Sequence, residues 1–460
     1  MRKILSARMV QMKYLPYILP YNLNMYVCTV NPSIPNILAA LAAAAVFVFL
    51  ILRKRSLQVP GLSAGASAAV FVLKVGLLFI FWAVYTYVYD EPQYADIYKY
   101  FNDGEALYRY LRQDVYGFFR VFLDIENESD RLYMNTHTLH WYKPFEEFPV
   151  NENRLIIRFH ALLYPLSGGS YFAHAVVTGF FGYLGALLLY RSWLPLFRSR
   201  APLWFLAVFA LPSVLFWSAG ALKEPFVLLG AGMLVYALFR PGKLWYLLPA
   251  LLLILFSKEY VFAAFLPGVM AVLLGRTPAF REKPATAQVL SLALAFALVV
   301  VISAYMPGYN FWQILYKKQE AFMNVSQLMQ ARSRFDMPAF QPDVTSILGA
   351  LPHALLNALL RPFPQDVHSL MIAASFLEML VLCGIGIYSL FHVRFQRPDP
   401  EKARVFWFCL SFVLLLSAII GLTVDNSGAL VRYRMPALPF LMAIFVLILQ
   451  KNITIKWFKI

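Results

Sequence analysis

The sequence predicts an all-α polytopic membrane protein, and three observations carry that prediction. Of 460 residues, 60% are apolar and only 14% are charged. A soluble chain of this size carries about 25% charged residues to cover its surface, so much of this surface must face something apolar. Eleven stretches are apolar and approach the length that crosses a hydrocarbon core of about 30 Å: 36–52, 67–89, 171–191, 202–219, 224–239, 243–257, 260–275, 286–305, 370–392, 405–422 and 434–450. The connections between them alternate in charge. Those that follow odd-numbered stretches hold 18 Lys and Arg against three acids, whereas residues 90–170 hold 13 acids against eight bases. Under the positive-inside rule the basic side is cytoplasmic.

Each part of the chain fits this frame differently. Residues 1–35 would lie outside, yet they carry Arg2, Lys3, Arg8 and Lys13. With Pro16, Pro20 and several Tyr, they read as a segment at headgroup depth. The three stretches between 224 and 275 are short and interrupted. Segments 154–166 and 346–361 are apolar but too short and too polar-broken to count as crossings. The expected organisation is therefore an N-terminal interfacial segment, a membrane domain over 36–450 and a cytoplasmic tail over 451–460. The long outer loops are 90–170 and 306–369. The net charge of +16 is mostly a topology signal; it implies anionic membrane lipids as partners and not nucleic acid. Cys28, Cys383 and Cys409 lack metal-like spacing, which argues against a disulfide framework or a zinc site.

Function is expected on the outer loops, because charged residues near membrane depth are costly and usually functional. The first loop begins YVYDEPQYADIYKYFNDG, with a helix expected from Asp96. Asp96, Tyr100, Asp103 and Leu107 share one helical face by their spacing. Ile97, Phe101, Leu111, Val115, Phe118 and Phe122 would rest on the membrane surface. Two carboxylates beside a helix bundle suit acid–base work; the competing reading is an amphipathic helix whose acids face water. The turn PSVLFWSAGALKEPF places Lys223 and Glu224 at a helix start, a ready anion site, or else an ordinary interfacial pair. FSKEYVFAAFLP repeats that design with Lys258 and Glu259, read alone as snorkelling charges. In ALPHALLNALLRPFPQDVHSL, His353, Asn357 and Arg361 fall on one face, followed by Asp366 and His368, with Glu378 inside the next stretch. A lone His on such a face is more often structural than a ligand. At VRYRMPALPFL, Arg432 and Arg434 precede Pro436. Arg is suited to forked recognition of phosphate. The bias of a pre-proline residue toward extended backbone predicts an extended Arg-Tyr-Arg with both arginines on one side. Lys223 and Arg361 reach the same side by topology. Acids are scattered without ligand spacing, so no divalent metal or other cofactor is expected.

These landmarks, YxYDEPQYADxYKYFNDG, PSxLFWSAGxLKE, LLRPFPQD with Glu378, and VRYRMPALPFL, together resemble integral-membrane glycosyltransferases of the GT-C type, in an uncharacterised bacterial branch. The resemblance spans roughly residues 65–450. It implies a GT-C-like bundle in the bacterial inner membrane with its site on the periplasmic side. It also implies a polyprenyl-phosphate-linked sugar donor, a glycan, lipid or protein acceptor, and inversion at the anomeric carbon. Asp96 would be the base, with Asp103 orienting the acceptor or the loop. Arg432, Arg434, Lys223 and Arg361 would hold the donor phosphate. Relatives often carry Gly-Asp where Ala95-Asp96 stands here, and Asp90 and Glu91 are rivals for the base. A Gly-rich phosphate loop and a cytoplasmic globular domain are missing, which argues against a nucleotide-sugar donor. Two other classes stay open: a polymerase or ligase of lipid-linked glycans, and a glycan transporter or flippase. The latter should carry mid-membrane charges, of which Lys74 is the main one.

Overall fold

A computed structural model describes residues 32–88, 95–142, 151–306, 308–328, 333–392 and 399–449. Among them regular structure is helical, with no strand. Helices α1 (Ile34–Arg53) and α2 (Ala64–Tyr87) lead to four helices off the membrane bundle: α3 (Asp96–Gln113), α4 (Val115–Phe122), α5 (Glu128–His137) and α6 (Asn153–Ser167). Then come α7 (Tyr171–Trp193), α8 (Ala201–Phe209), α9 (Pro212–Trp217), α10 (Glu224–Phe239), α11 (Leu247–Ser257), α12 (Glu259–Leu274) and α13 (Pro284–Tyr305). The chain ends with α14 (Phe311–Leu328), α15 (Val344–Leu360), α16 (Leu370–Phe391), α17 (Pro400–Thr423), α18 (Ser427–Arg434) and α19 (Leu438–Ile448).

Seven helical runs are long and apolar enough to cross a membrane: α1, α2, α7, α13, α16, α17 and the run Ser427–Ile448 formed by α18 and α19. Each coincides with one of the eleven apolar stretches. The other four stretches are helical but shorter. Stretch 202–219 is divided into α8 and α9 at Pro212, which has no N–H to continue a helix. Helices α10 and α12 have 16 residues each and α11 has 11. At 1.5 Å per residue they reach only about 24 and 17 Å. They stop where Lys223-Glu224 and Lys258-Glu259 turn inward.

Helix α7 forms the centre. Its apolar window is 78% buried, against 11% for α1 and 17% for α13. These two peripheral helices expose rows such as Leu38, Leu41, Phe49, Val289 and Phe296, an apolar belt that only lipid or another chain would cover. The centre is tight because glycines let backbones touch. A Cβ on Gly232 of α10 would stand 2.2 Å from the carbonyl oxygen of Gly185 on α7. A Cβ on Gly421 of α17 would stand 2.0 Å from that of Ala354 on α15. Small residues at helix contacts serve this purpose in membranes.

Three arginines of the basic connections close helix ends. Arg276 donates to the carbonyls of Ala237 and Leu238 at the end of α10, and Arg404 to that of Gly275 after α12. Arg200 donates to Val446 and Leu449 at the end of α19. Each satisfies last-turn carbonyls and opposes the negative end of a helix dipole.

The first loop departs from the expected interfacial helix. Ile97, Phe101 and Phe118 are buried in protein instead of lying on a membrane surface, whereas Leu111 and Phe122 are half-buried and Val115 is exposed. Phe101 packs on His160, Tyr164, Tyr171 and His174, because α3 lies across α6 and closes over the start of α7. Gly104 is where the two helices meet: a Cβ there would overlap the His160 Cβ at 2.4 Å. The terminal segments 1–31 and 450–460, with the expectations placed on them, lie outside the described residues.

Because only backbone surrounds the missing Cβ, Gly232→Ala should cost about 3 kcal/mol or more, an overpacking penalty at the upper end of its range. Gly384→Ala, with open space at its Cβ position, should stay within about 1 kcal/mol of wild type. Thermal unfolding in detergent compares the two. Equal melting temperatures would mean that α7 and α10 are not in backbone contact.

Candidate functional site

Among the described residues four helices start with a carboxylate, and three of these acids cluster: Asp96 on α3, Glu224 on α10 and Glu259 on α12. An acid at a helix N-terminus is favoured by the dipole. Here buried Arg432 joins two of these starts, and Lys258, just before Glu259, ties the third to Glu224. Arg432 on α18 donates from Nε to Glu224 Oε1 at 2.5 Å and from Nη2 to Oε2 at 3.3 Å. Its Nη1 donates to Asp96 Oδ2 at 2.6 Å. Lys258 donates to the same Glu224 oxygen at 2.8 Å. Lys223 reaches the carboxylate of Glu152 and the side-chain oxygen of Asn153, both at 3.0 Å. Lys318 of α14 donates to Glu259 at 2.6 Å.

The two Lys-Glu dipeptides are thus neither snorkelling charges nor self-contained pairs. Each residue finds its partner on another element, inside the protein. In this ion-paired set four cations, Lys223, Lys258, Lys318 and Arg432, are matched by four carboxylates, Asp96, Glu152, Glu224 and Glu259. Their exposure differs in one informative way. The side chains of Glu224, Glu259 and Glu152 are 0%, 8% and 14% exposed, whereas Asp96 is 34% exposed. Asp96 is the carboxylate that a molecule from outside can touch.

Aromatic rings line the set. Lys258 Nζ lies 4.3 Å from the Tyr433 ring centroid, and the Arg432 guanidinium 5.9 Å from Trp217. Tyr260 packs at 5.8 Å from Tyr433. Two buried polar atoms here lack a hydrogen-bond partner, Glu259 Oε2 and the Tyr260 hydroxyl. Unmet buried polar groups are expensive, and both atoms lie away from the protein surface.

Electrostatics set the state of the two first-loop acids apart. Burial alone would push the Asp96 carboxyl up, but Arg432, Lys99 and Lys223 outweigh it and hold it well below the usual carboxylate range. Burial pushes Asp103 up to about 7, against the pull of backbone amides. Asp103 is 1% exposed and accepts from the amides of Leu139 and His140 at 3.0 and 2.7 Å. Of its two expected uses, this contact serves the loop: Asp103 pins residues 139–140 to α3.

The arginine pair departs from expectation. Ser427–Arg434 is an α-helix, and Met435–Ala437 forms a 3₁₀ turn into α19. Pro436 and Pro439 sit in the first positions of that turn and of α19, where a missing N–H is tolerated, so the pre-proline bias toward extended backbone does not prevail. Arg432 and Arg434 therefore face different ways. Arg434, 2% exposed, donates to the carbonyls of Ala358 and Arg361 at 2.9 and 2.6 Å, closing the end of α15.

Arg361 belongs with that second group. It pairs with Asp366 at 2.5 Å and Asn357 at 2.9 Å, and lies 4.1 Å over the Phe335 ring. Glu378 accepts from the Ser213 amide at 2.9 Å and from its hydroxyl, capping the start of α9. The expected four-residue cradle is thus split: Arg432 and Lys223 stand around Asp96 and Glu224, Arg361 and Arg434 around the end of α15. His353 and His368 are exposed and join neither group; the expected shared face of His353 with Asn357 ends where Asn357 turns into the protein and His353 out of it. Asp90 and Glu91 lie outside the described residues. Sequence reading missed Glu152, Asn153, Lys318 and the aromatic lining. The surviving signal for Lys318 was a lysine in an otherwise amphipathic loop helix, and for Glu152 a polar turn before α6.

Neither a family model, nor a curated protein, nor a solved structure matches this chain.

Glu224 holds two cations at once while fully buried. Glu224→Gln should therefore destabilise by about 3–5 kcal/mol, the cost of breaking a buried pair from one side. Asp96→Asn, at the open edge, should cost about 1 kcal/mol or less. Unfolding of both variants in the same detergent checks the order; a milder effect for Glu224→Gln would contradict the network as described.

Proposed function

We propose that the protein is a membrane glycosyltransferase that moves a sugar from a polyprenyl-phosphate carrier to an acceptor hydroxyl, with inversion. The GT-C type of architecture, a count of about eleven crossings, and a site on the periplasmic side of a bacterial inner membrane belong to this proposal. The observation that carries it is Asp96: a solvent-reachable carboxylate held at the edge of a buried cationic network with aromatic walls. A base, anion-binding groups and ring-stacking surfaces are what sugar transfer from a lipid phosphate requires.

The chemistry follows from these residues. The acceptor oxygen attacks the anomeric carbon from the face opposite the carrier. The bond from that carbon to the carrier oxygen breaks, and its electron pair leaves with the lipid phosphate. The acceptor proton passes to Asp96, which leads to a neutral carboxylic acid and a phosphate monoester. Arg432 and its neighbours Lys223 and Lys258 stabilise charge growing on the leaving oxygen, where fixed cations in a low-dielectric site count most. Trp217, Tyr433 and Tyr260 offer faces for a sugar ring. The scheme calls on no divalent ion. A polymerase or ligase would use the same groups with a glycan acceptor.

A translocator of lipid-linked glycans is the second reading. The observation favouring it is Lys74, buried within α2, with Ser218 as hydrogen-bond partner at 2.5 Å. Glycan movement without transfer in sealed vesicles would favour that reading.

Purified protein supplied with polyprenyl-phosphate sugars and a panel of hydroxyl acceptors tests the enzyme reading, and no transfer from any donor would oppose it. With a working donor, Asp96→Asn should fold but turn over about 10²–10⁴-fold more slowly. The carboxylate must be ionised to act, and its neighbours keep it ionised to low pH. The acid limb of kcat/KM should therefore fall below about pH 4, the ordinary Asp value. A limb near pH 6, or near-wild-type turnover in Asp96→Asn, would remove Asp96 from the role of base.

A further inference from the structure

Among the described residues the ion-paired set holds four cations and four carboxylates, with Lys99 a further cation acting on Asp96, and an arriving anion can enter it by replacing a carboxylate. Replacement is possible at one place. Glu224 is 0% exposed and holds both Arg432 and Lys258; removing it would strand two buried cations. Asp96 is different. It is 34% exposed and bound to Arg432 through Nη1 alone, at 2.6 Å, while the other side of the guanidinium stays fixed on Glu224. It is also carried on the first residue of α3, where only one helix end must adjust for the carboxylate to swing away. The guanidinium would then present a vacated N–H, with its plane already oriented, to an oxygen of tetrahedral phosphate.

We propose that the lipid-borne donor enters by exchanging its single phosphate charge for the Asp96 carboxylate on Arg432, and that this exchange is what frees Asp96 to accept the acceptor's proton. The inference rests on the sugar-transfer reading and adds two things to it. The first is substrate class. A phosphodiester carries one negative charge and replaces Asp96 like for like. A diphosphate carries more charge than the exchange releases. The site therefore suits a single-phosphate carrier. The second is order. While Arg432 grips it, Asp96 is a weak base; once the phosphate takes its place, Asp96 loses its strongest cationic neighbour and becomes a better one. Donor binding thus arms the base, and an acceptor arriving first meets an idle carboxylate.

The test is binding and needs no turnover. Full-length protein in nanodiscs of neutral lipid is titrated with a long-chain dialkyl phosphate, a diester with one permanent charge. Asp96→Asn removes the competing anion and should bind the probe about tenfold more tightly than wild type. Asp96→Ser is the second variant and should shift the same way. Wild type should prefer the dialkyl phosphate to a dialkyl diphosphate, and inorganic phosphate at equal concentration should not displace the probe. Equal or weaker binding by both variants, with wild type binding normally, would overturn the exchange while leaving the sugar-transfer reading intact. Preference for the diphosphate would overturn the one-for-one match, and displacement by inorganic phosphate would overturn a lipid-borne ligand. Absence of binding by all three proteins would remove the sugar-transfer reading along with the exchange.

Discussion

One guanidinium organises the working end of this protein. Arg432 joins Glu224, 208 residues earlier, and Asp96, 336 residues earlier. A buried charge is tolerable only when matched and hydrogen-bonded, so this one residue obliges two helix starts to meet, and Lys258 ties the start of α12 to the same Glu224. Helices α10 and α12 are short because their first residues must lie at the depth of Arg432 and not at a membrane surface. Because α18 is helical through Arg434, Arg432 looks one way and Arg434 the other. Glycine contacts between α7 and α10 bring the start of α10 to that depth, and the anchoring of residues 139–140 by Asp103 keeps α3 in place above it.

Arginine also does a second job, in the same way at both ends of the bundle. Arg276, Arg404 and Arg200 close helix ends at the basic connections, and Arg434 closes α15. Only Arg432, among these, binds carboxylates instead of carbonyls. That difference separates a strut from a group able to trade partners. A carbonyl at a helix end has no alternative donor inside the protein, whereas a half-exposed carboxylate has water.

Much of the fold was legible in the sequence, because apolar length is a one-dimensional signal. All seven helical runs long and apolar enough to cross a membrane fell on expected stretches. The short ones, 224–239, 243–257 and 260–275, were visible as apolar but their meaning was not: nothing local to Lys223-Glu224 says that its partners lie on α12, α18 and the turn before α6. Asp96, Glu224, Lys258 and Arg432 could be singled out as charges near membrane depth, yet their pairing is a tertiary property. The burial of Ile97 and Phe101 was misread for the same reason, since an apolar helical face reads identically whether α6 or lipid covers it. The extended Arg-Tyr-Arg failed because a pre-proline preference is weak beside a buried arginine that needs two carboxylates.

The most direct measurement of this account is a double-mutant cycle between Asp96 and Arg432. Unfolding free energies in detergent are compared for wild type, Asp96→Asn, Arg432→Gln and the double variant. Residues in one ion-paired network couple by more than about 0.5 kcal/mol, and here the coupling should approach the cost of Asp96→Asn itself, so the double variant should lose less than the two single losses combined. Additive losses, agreeing within about 0.5 kcal/mol, would show that Asp96 and Arg432 do not meet and would take the base, the cationic network and the exchange between them apart together.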